Sequence, residues 1–330
     1  PIVDKYLSDG LGLNVNPVFS LLNFLKIFLV GLLVLVIFSI PTISSIDQVK
    51  ASNLFRNVFQ NLQFYYSKKS VSLSFVLLSF LILLFTIGLV CGSFLNVVAL
   101  RRINEESFIS GRSKCPNCGQ KISWYDNVPL FSFIFLKGHC RHCNQQISLQ
   151  YPFVELFCAI MTIALYNHQS NLVLFVCLLV ISYMLIIASL IDWLSKNIYF
   201  DHLALLLTAM MLFLILSSQL SMNILFGAAI FGGFFLFLRI IGWYIYKREA
   251  VGMGDIQLGI ILGMPLVWQD IVLTLYITFI SASFVGLYQL YQRQQKNAEI
   301  ALIPFISLGF MISLLYGPQI RGFLAAWYYG

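Results

Sequence analysis

Long apolar runs separated by short polar segments make up most of this chain, and they limit the folds open to it. Of its 330 residues, 59% are hydrophobic and only 10% are charged. Soluble globular domains carry about 25% charged residues, and a helix needs about 20 apolar residues to cross a bilayer. The sequence therefore predicts an all-α polytopic membrane protein.

Nine of these runs are candidates for transmembrane helices, so the predicted architecture has about nine spans. They cover residues 19–40, 71–100, 152–167, 171–191, 201–218, 222–245, 255–268, 270–290 and 302–327. The run at 255–268 is short for a span and has Pro265 near its end, so we expect it to be tilted, broken or re-entrant. In the second run, Gly88 and Gly92 have the GxxxG spacing that allows another helix to approach closely.

The distribution of basic residues predicts which face is cytoplasmic, because Lys and Arg are enriched in cytoplasmic loops. Beyond residue 70, one side contains most of them: Arg101, Arg102, the insert 103–150, Lys196, Lys247, Arg248, Arg293 and Lys296. The segment 42–70 is an exception, since it falls on the opposite side and has four basic residues. We expect the insert, Asp192 and Asp255 on the cytoplasmic face. The formal charge of +7 then belongs to loops at the lipid bilayer, and no nucleic-acid partner is expected.

Two CxxC pairs lie in the insert. Cys115 and Cys118 form the first pair, Cys140 and Cys143 form the second, and 21 residues separate them. Each pair places two thiolates on one tight turn, and four sulfurs satisfy the tetrahedral geometry of structural Zn²⁺. We predict a structural zinc site, with a redox pair or unrelated thiols as the alternative. The two adjacent histidines are expected at the surface or around the site. A closed four-cysteine site is structural, so catalysis is expected elsewhere.

Few acidic residues lie near the ends of the apolar runs, where ionisable groups are costly and often functional. They are Glu155, Asp192, Asp201 and Asp255. Asp255 ends a GxGD pattern, and Gly252 and Gly254 would let the backbone approach a partner or an extended peptide. If Asp192 and Asp255 meet, they share one proton, so one can act as a general base on water and the other as a general acid. The alternative is that both are solvated acids that cap helices.

Several stretches match one family in chain order. They are GSFLNVV at 92–98 followed by Arg101, the insert with its cysteines and WYDNVP at 124–129, YPFVEL at 151–156, ID at 191–192 and GMGD at 252–255. Together they resemble the type IV prepilin peptidases, which are bacterial membrane aspartic proteases of the GxGD type. The resemblance extends from about residue 88 to the C-terminus.

The resemblance implies that Asp192 and Asp255 are the catalytic pair, supported by Gly252 and Gly254. Members of this family cleave the leader from type IV prepilins and type II secretion pseudopilins, on the cytoplasmic side of the bacterial inner membrane. Members with the cysteine insert usually also methylate the new N-terminus with S-adenosylmethionine. The alternatives are a peptidase without methyltransferase activity, a non-enzymatic membrane scaffold that docks a partner through its zinc module, and a proton-coupled transporter.

Two further residues, Glu155 and Arg101, are candidates for contact with the methyl donor or the substrate. Glu155 would bind the new amino terminus or assist the methyl donor, and the alternative is an ion pair with a nearby Arg or Lys. The sequence departs from the family pattern at Gln257, where a Lys is common. It departs again at 198–201, which read IYFD where a Pro-Asp pair is common.

On this basis the chain has four predicted parts. They are an N-terminal extension with an extra transmembrane helix at 1–70, a first core transmembrane helix at 71–102, a cytoplasmic four-cysteine zinc module at 103–150, and a transmembrane aspartic peptidase core at 151–330.

Overall fold

The computed structural model describes residues 68–107, 113–247, 251–293 and 300–329. Its helices are α1 (Lys68–Ile103), α2 (Phe131–Phe135), α3 (Gln150–His168), α4 (Leu172–Ser195), α5 (Phe200–Leu216), α6 (Asn223–Tyr246), α7 (Met253–Gly263), α8 (Trp268–Arg293) and α9 (Ile303–Tyr329), with a 3-10 turn at Trp124–Asn127. Apart from these, the described residues contain only turns, bends and isolated β-bridges. The predicted all-α class is confirmed.

The chain divides into two compact units, residues 1–73 with residue 330, and residues 74–329. All contacts discussed below lie within the second unit. Most of the predicted extension 1–70, including its span at 19–40, lies outside the described residues.

Each apolar run predicted beyond residue 70 forms a helix. Among the described residues, five stretches are long and apolar enough to cross a membrane: Leu78–Ile103, Leu172–Ser195, Asn223–Ile245, Trp268–Gln289 and Ile303–Phe323. Helices α5 and α7 are shorter apolar helices, and α3 has 19 residues with polar Gln150 and His168 at its ends. The predicted number of about nine spans is therefore not confirmed.

The outer faces of these helices expose large apolar side chains. Phe226, Phe237 and Trp243 on α6 are exposed, as are Tyr276 and Phe284 on α8. A water-soluble monomer rarely exposes large contiguous apolar patches. Surfaces of this kind fit contact with lipid, as the composition predicts.

Helix α3 packs closely against α1 at the predicted GxxxG pair. A Cβ atom on Gly88 would lie 2.5 Å from the Cα of Ala159, and one on Gly92 would lie 2.7 Å from the Cα of Glu155. Both distances are far inside van der Waals contact, so only glycine permits this helix spacing. The expectation that another helix approaches at these glycines is confirmed.

Helix α7 lies antiparallel along α6, and the two backbones touch where α7 ends. A Cβ atom on Gly263 would lie 2.4 Å from the carbonyl oxygen of Gly227, near the start of α6. Near the start of α7, Arg239 of α6 donates a hydrogen bond of 3.0 Å to the carbonyl oxygen of Val251. The 11 residues of α7 extend only about 16 Å, so it is too short to cross a bilayer.

Helix α4 is the most buried of the five candidate spans. It packs against α3, α5 and α9, and its residues Ile181, Leu185 and Ala188 belong to the main apolar core. Asp192 comes one turn after Ala188 along the same helix. The most enclosed helix of the bundle thus holds the first of the predicted catalytic acids.

Candidate active site and metal centre

Asp192 lies in the last turn of α4, and its side chain is buried. Its Oδ2 atom accepts a hydrogen bond of 3.0 Å from the backbone N–H of Ile303, the first residue of α9. The N-terminus of a helix has free N–H groups and a partial positive charge, which favour an anion there. Asp192 is therefore held by a helix that begins more than a hundred residues later in the chain.

Asp255 is the third residue of α7 and is half-buried. Its Oδ2 atom accepts a hydrogen bond of 3.1 Å from the N–H of Gly252, the residue before the helix. Both acids cap helices, as one of the two interpretations of the sequence predicted. They are nevertheless not solvated loop residues, because each belongs to a helix and Asp192 is buried. Since each of these bonds uses Oδ2, a second carboxylate oxygen remains on each acid.

The structure brings Asp192 and Asp255 together, close enough for the charge of one carboxylate to act on the other. Neighbouring Ala188, Ile256 and Ile303 belong to the main apolar core. In such low-dielectric surroundings the charge of one carboxylate disfavours ionisation of the other. The arrangement can deprotonate a water molecule with one acid and protonate a leaving group with the other.

Gly254 fits the start of α7 against the loop that follows α4. A Cβ atom at this position would lie 2.1 Å from Cδ1 of Ile198 and 3.0 Å from its Cβ. The backbone of α7 can approach Ile198 only because residue 254 has no side chain. Here the glycine permits a packing contact within the protein, and its predicted approach to an extended peptide stays a prediction.

Replacing Gly254 with Ala is expected to destabilise the protein by about 1–3 kcal/mol, the usual cost of overpacking a well-filled contact, and to slow the reaction by displacing Asp255. Thermal unfolding in detergent would show this as a lowered Tm. The Ile198→Ala exchange should restore much of the loss in the double variant. Gly233→Ala is the matched control, because a Cβ there has no neighbour within 4 Å. An unchanged Tm for Gly254→Ala would contradict this account of the contact.

Positive charge near the pair comes from an unexpected position. Gln257, where relatives in the family often have Lys, is a half-buried residue of α7. Lys196, the residue that ends α4, interacts electrostatically with Asp192 instead. Asp201 ends the stretch 198–201, the second place where the sequence departs from the family pattern. It pairs with Arg102 of α1 at 2.6 Å. It therefore ties α5 to α1 and is not part of the aspartate pair.

The four cysteines of the insert form one cluster. Their sulfurs all lie within 4.8 Å of one another, and the Sγ atoms of Cys115 and Cys143 are 3.8 Å apart. A tetrahedral zinc ion with Zn–S bonds of about 2.3 Å places its sulfurs about 3.8 Å apart. The residues present therefore fit a structural metal of this kind. Asn117 contacts the Cys143 sulfur through its side-chain amide.

The two CxxC turns have equivalent backbone geometry. Gly119 and Asn144, the residues after each pair, have φ angles of 69° and 57°. Their N–H groups donate hydrogen bonds of 2.9 and 3.0 Å to the carbonyl oxygens of Cys115 and Cys140 respectively. A left-handed residue at this point favours Gly or Asn. A Gly or Asn directly after each CxxC pair is therefore a sequence signal for this type of turn.

Local hydrogen bonds prepare the second pair for metal binding. The backbone N–H of Gln145 and the Asn117 amide lower the pKa of the Cys143 thiol to about 6, which favours the thiolate that binds metals. Arg141, between the two cysteines of this pair, forms a two-point ion pair with Asp126 of the 3-10 turn. That guanidinium lowers the pKa of Asp126. The ion pair thus joins the second CxxC turn to the rest of the insert.

The histidines beside the second pair do not belong to the cluster. His139 and His142 are exposed, and Nδ1 of His139 contacts the carbonyl oxygen of Lys137 at 2.7 Å. Among the described residues, the group that could hold a metal ion consists of the four cysteines alone, as predicted.

A cavity of about 940 Å³ lies between the insert and helices α1 and α3. Arg101 and Glu155, the two candidates for contact with the methyl donor or the substrate, line it, together with Ser93, Tyr151 and residues of both CxxC turns. Glu155 is buried, and its Oε2 accepts a hydrogen bond of 2.7 Å from the N–H of Leu130. Asp192 and Asp255 are not among the residues that line this cavity. The structure thus contains two separate candidate sites.

Fold and site together define a helical membrane protein with an aspartate pair at helix ends and a four-cysteine module. Residues 86–169 match the model of the bacterial peptidase A24 N-terminal domain, and residues 179–290 match that of the type IV leader peptidase family. The chain belongs to the type IV leader peptidase family, as the resemblance in the sequence indicated.

Individual relatives support this membership. The chain is similar to a prepilin leader peptidase/N-methyltransferase of Vibrio cholerae, with 32% identity over 72% of this chain and 98% of that protein. A protein of the same name from Myxococcus xanthus is 33% identical, over 64% of this chain and 63% of its own length. One from Aeromonas hydrophila is 29% identical, over 72% of this chain and 91% of that protein. No solved structure shows a significant match.

Proposed function

We propose that this chain removes the leader peptide from type IV prepilins or type II secretion pseudopilins, with Asp192 and Asp255 as the catalytic pair. One carboxylate takes a proton from water, whose oxygen attacks the carbonyl carbon of the scissile peptide bond. The other acid protonates the leaving nitrogen as the C–N bond breaks. This chemistry needs no metal. The four-cysteine cluster would leave a tetrahedral metal ion no open position for a substrate, so a structural role suits that site.

One observation carries this proposal, namely the meeting of the two acids. They come from helices α4 and α7, and Met253, the first residue of α7, comes 61 positions after Asp192 in the sequence. Bringing two like charges together among apolar side chains costs free energy. A role as helix caps alone does not require that arrangement. The relatives are named prepilin leader peptidase/N-methyltransferases, which supports the same activity here.

The proposed site faces the cytoplasm, and the protein lies in the bacterial inner membrane. Support comes from the basic residues near this edge. Arg101 and Arg102 end α1, and Lys196 and Lys247 follow α4 and α6, so the positive-inside rule favours this orientation. Such an orientation gives a cytoplasmic prepilin leader direct access to the aspartate pair and to the four-cysteine module.

We further propose that the chain methylates the N-terminus created by cleavage, at the cavity between the module and helices α1 and α3. S-adenosylmethionine would supply an activated methyl group there. The fit is supported by the volume of about 940 Å³, which lies in the range of small-molecule sites. Arg101 can pair with a carboxylate of the donor, and Glu155 offers an acid. The metal ion would act structurally, by holding the two CxxC turns that form one wall.

The test is an assay of the purified protein in lipid nanodiscs with a prepilin and S-adenosylmethionine, followed by mass spectrometry of the product. We expect a pilin that lacks its leader and has one added methyl group on its new N-terminus. Cleavage without methylation would leave a peptidase only. An intact prepilin, under conditions in which a known prepilin peptidase cleaves it, would contradict the main proposal.

A further inference from the structure

Glu155 is a buried acid whose position the aspartate chemistry does not explain. Its relative exposure is 6%, and its carboxylate accepts a hydrogen bond from the N–H of Leu130, with the hydroxyl of Ser93 as a second donor beside it. The ion pairs of the described residues join Arg102 to Asp201, Arg141 to Asp126 and Arg321 to Asp270. None of them includes Glu155, so the alternative of an ion pair with a nearby Arg or Lys is not found among the described residues.

A buried carboxylate without a cationic partner is unfavourable, because the charged form loses its hydration. Two hydrogen-bond donors compensate only part of that loss. The carboxylate also lines the large cavity, so a ligand that enters can reach it. A positively charged group on the ligand would complete the set of partners.

The other charges around the cavity leave Glu155 as its distinctive acid. Arg101, Lys114 and Lys121 contribute positive charge to the lining. Asp126, also in the lining, is already paired with Arg141, and Glu106 is exposed. A cationic group is therefore attracted to the buried Glu155, whereas anionic parts of a ligand are attracted to the basic residues.

The acid also lies on a helix that packs against the helix of Asp192. Val154 and Ile191, the residues before Glu155 and Asp192, belong to one apolar cluster, and α3 packs directly on α4. Glu155 and Asp192 therefore lie on helices that are in direct contact.

We propose that Glu155 binds the α-ammonium group of the cleaved substrate and acts as the base of the methylation, an inference that rests on the proposed methyltransferase function. Glu155 takes one proton from the ammonium group, which leaves a neutral amine with a free electron pair. The amine nitrogen then forms a bond to the methyl carbon of a sulfonium donor, as the methyl–sulfur bond breaks and its electrons remain on sulfur. The product is a secondary ammonium, and the protonated Glu155 releases its proton to water.

The test compares Glu155→Gln with Glu106→Gln, a matched change at an exposed acid of the same cavity. Gln has nearly the same shape as Glu and can still accept the Leu130 hydrogen bond, but it cannot accept a proton. We expect Glu155→Gln to slow methylation by about 10²-fold or more, the usual loss when a general base is removed. Leader cleavage should stay within about twofold of wild type, since general acid–base catalysis of that step belongs to other residues. Glu106→Gln should retain both activities.

A binding measurement provides a readout that does not depend on turnover. A peptide with the sequence of a mature pilin N-terminus and a free α-amine should bind wild type more tightly than its N-acetylated form. The Glu155→Gln variant should lose this preference and Glu106→Gln should keep it.

Three results would overturn the assignment of Glu155: methylation at the wild-type rate, an unchanged preference for the free amine, or equal loss of cleavage and methylation, which would indicate a structural role. A wild-type protein that cleaves but does not methylate would instead contradict the proposed function. In that case the peptide measurement still decides whether Glu155 binds an ammonium group.

Discussion

Replacing Asp255 with Asn is expected to slow leader cleavage by about 10²- to 10⁴-fold, the range for loss of a general acid or base. Asn keeps the shape of the side chain, and its oxygen can still accept the hydrogen bond from Gly252. The helix should therefore remain capped while proton transfer is lost. Asp192→Asn should have an effect of the same order, because the pair works as one unit. The double variant should be little worse than either single variant, since the effects of residues that act together are not additive.

The natural control for this experiment is Asp201→Asn. Asp201 is an acid near the same edge, at the start of α5, but it pairs with Arg102 and takes no part in the aspartate site. Its exposed ion pair contributes little to stability, so this variant should retain cleavage. Cleavage rates would be measured with a prepilin in nanodiscs, beside thermal unfolding of each variant. Full activity in either Asn variant with a wild-type Tm would exclude the aspartate pair as the catalytic site.

Replacing Cys115 with Ser is expected to remove most of the bound zinc and to abolish methylation. Zinc binding supplies about 10–16 kcal/mol to small four-ligand modules, and the insert has few other buried contacts. Of the four cysteines, Cys115 is the buried one. Loss of this ligand should loosen a wall of the cavity. Cleavage should suffer less, because Asp192 and Asp255 belong to other helices.

The comparison for this variant is Cys91→Ser, which changes a thiol of α1 that belongs to neither CxxC pair. Zinc content measured by inductively coupled plasma mass spectrometry should fall in Cys115→Ser and stay at the wild-type level in Cys91→Ser. Treatment of the wild-type protein with a strong chelator should reproduce the loss of methylation. Unchanged zinc content in Cys115→Ser would refute a four-cysteine site.

The sequence predicted the features that depend on local pattern. Apolar runs of the right length predicted the helices, the spacing of Gly88 and Gly92 predicted a close helix contact, and the CxxC spacing predicted the four-sulfur cluster. Each of these signals depends on residues near one another in the chain or on a repeated motif. The catalytic roles of Asp192 and Asp255 stay predictions.

Contacts between distant residues were beyond the reach of such patterns. The N–H of Ile303 that holds Asp192 comes from 111 positions later, and Arg102 and Asp201 are 99 positions apart. The backbone N–H of Leu130 that binds Glu155 could not be anticipated either, because any residue other than proline can provide such a donor. Helix α7 illustrates another limit. Its run of residues extended to 268 in the sequence, whereas the helix ends at Gly263, where its backbone meets that of Gly227.

The contact between Gly227 and Gly263 has a mechanical consequence. Where two backbones are in direct contact, no side chains lie between them that could rearrange and let one helix slide over the other. The Arg239 hydrogen bond to Val251 fixes the opposite end of α7 to α6 as well. We therefore expect helices α6 and α7, together with Asp255, to move as one rigid unit. If the two acids separate to admit a peptide, we expect this unit to move relative to helices α4 and α9, which are joined by the hydrogen bond from Ile303 to Asp192.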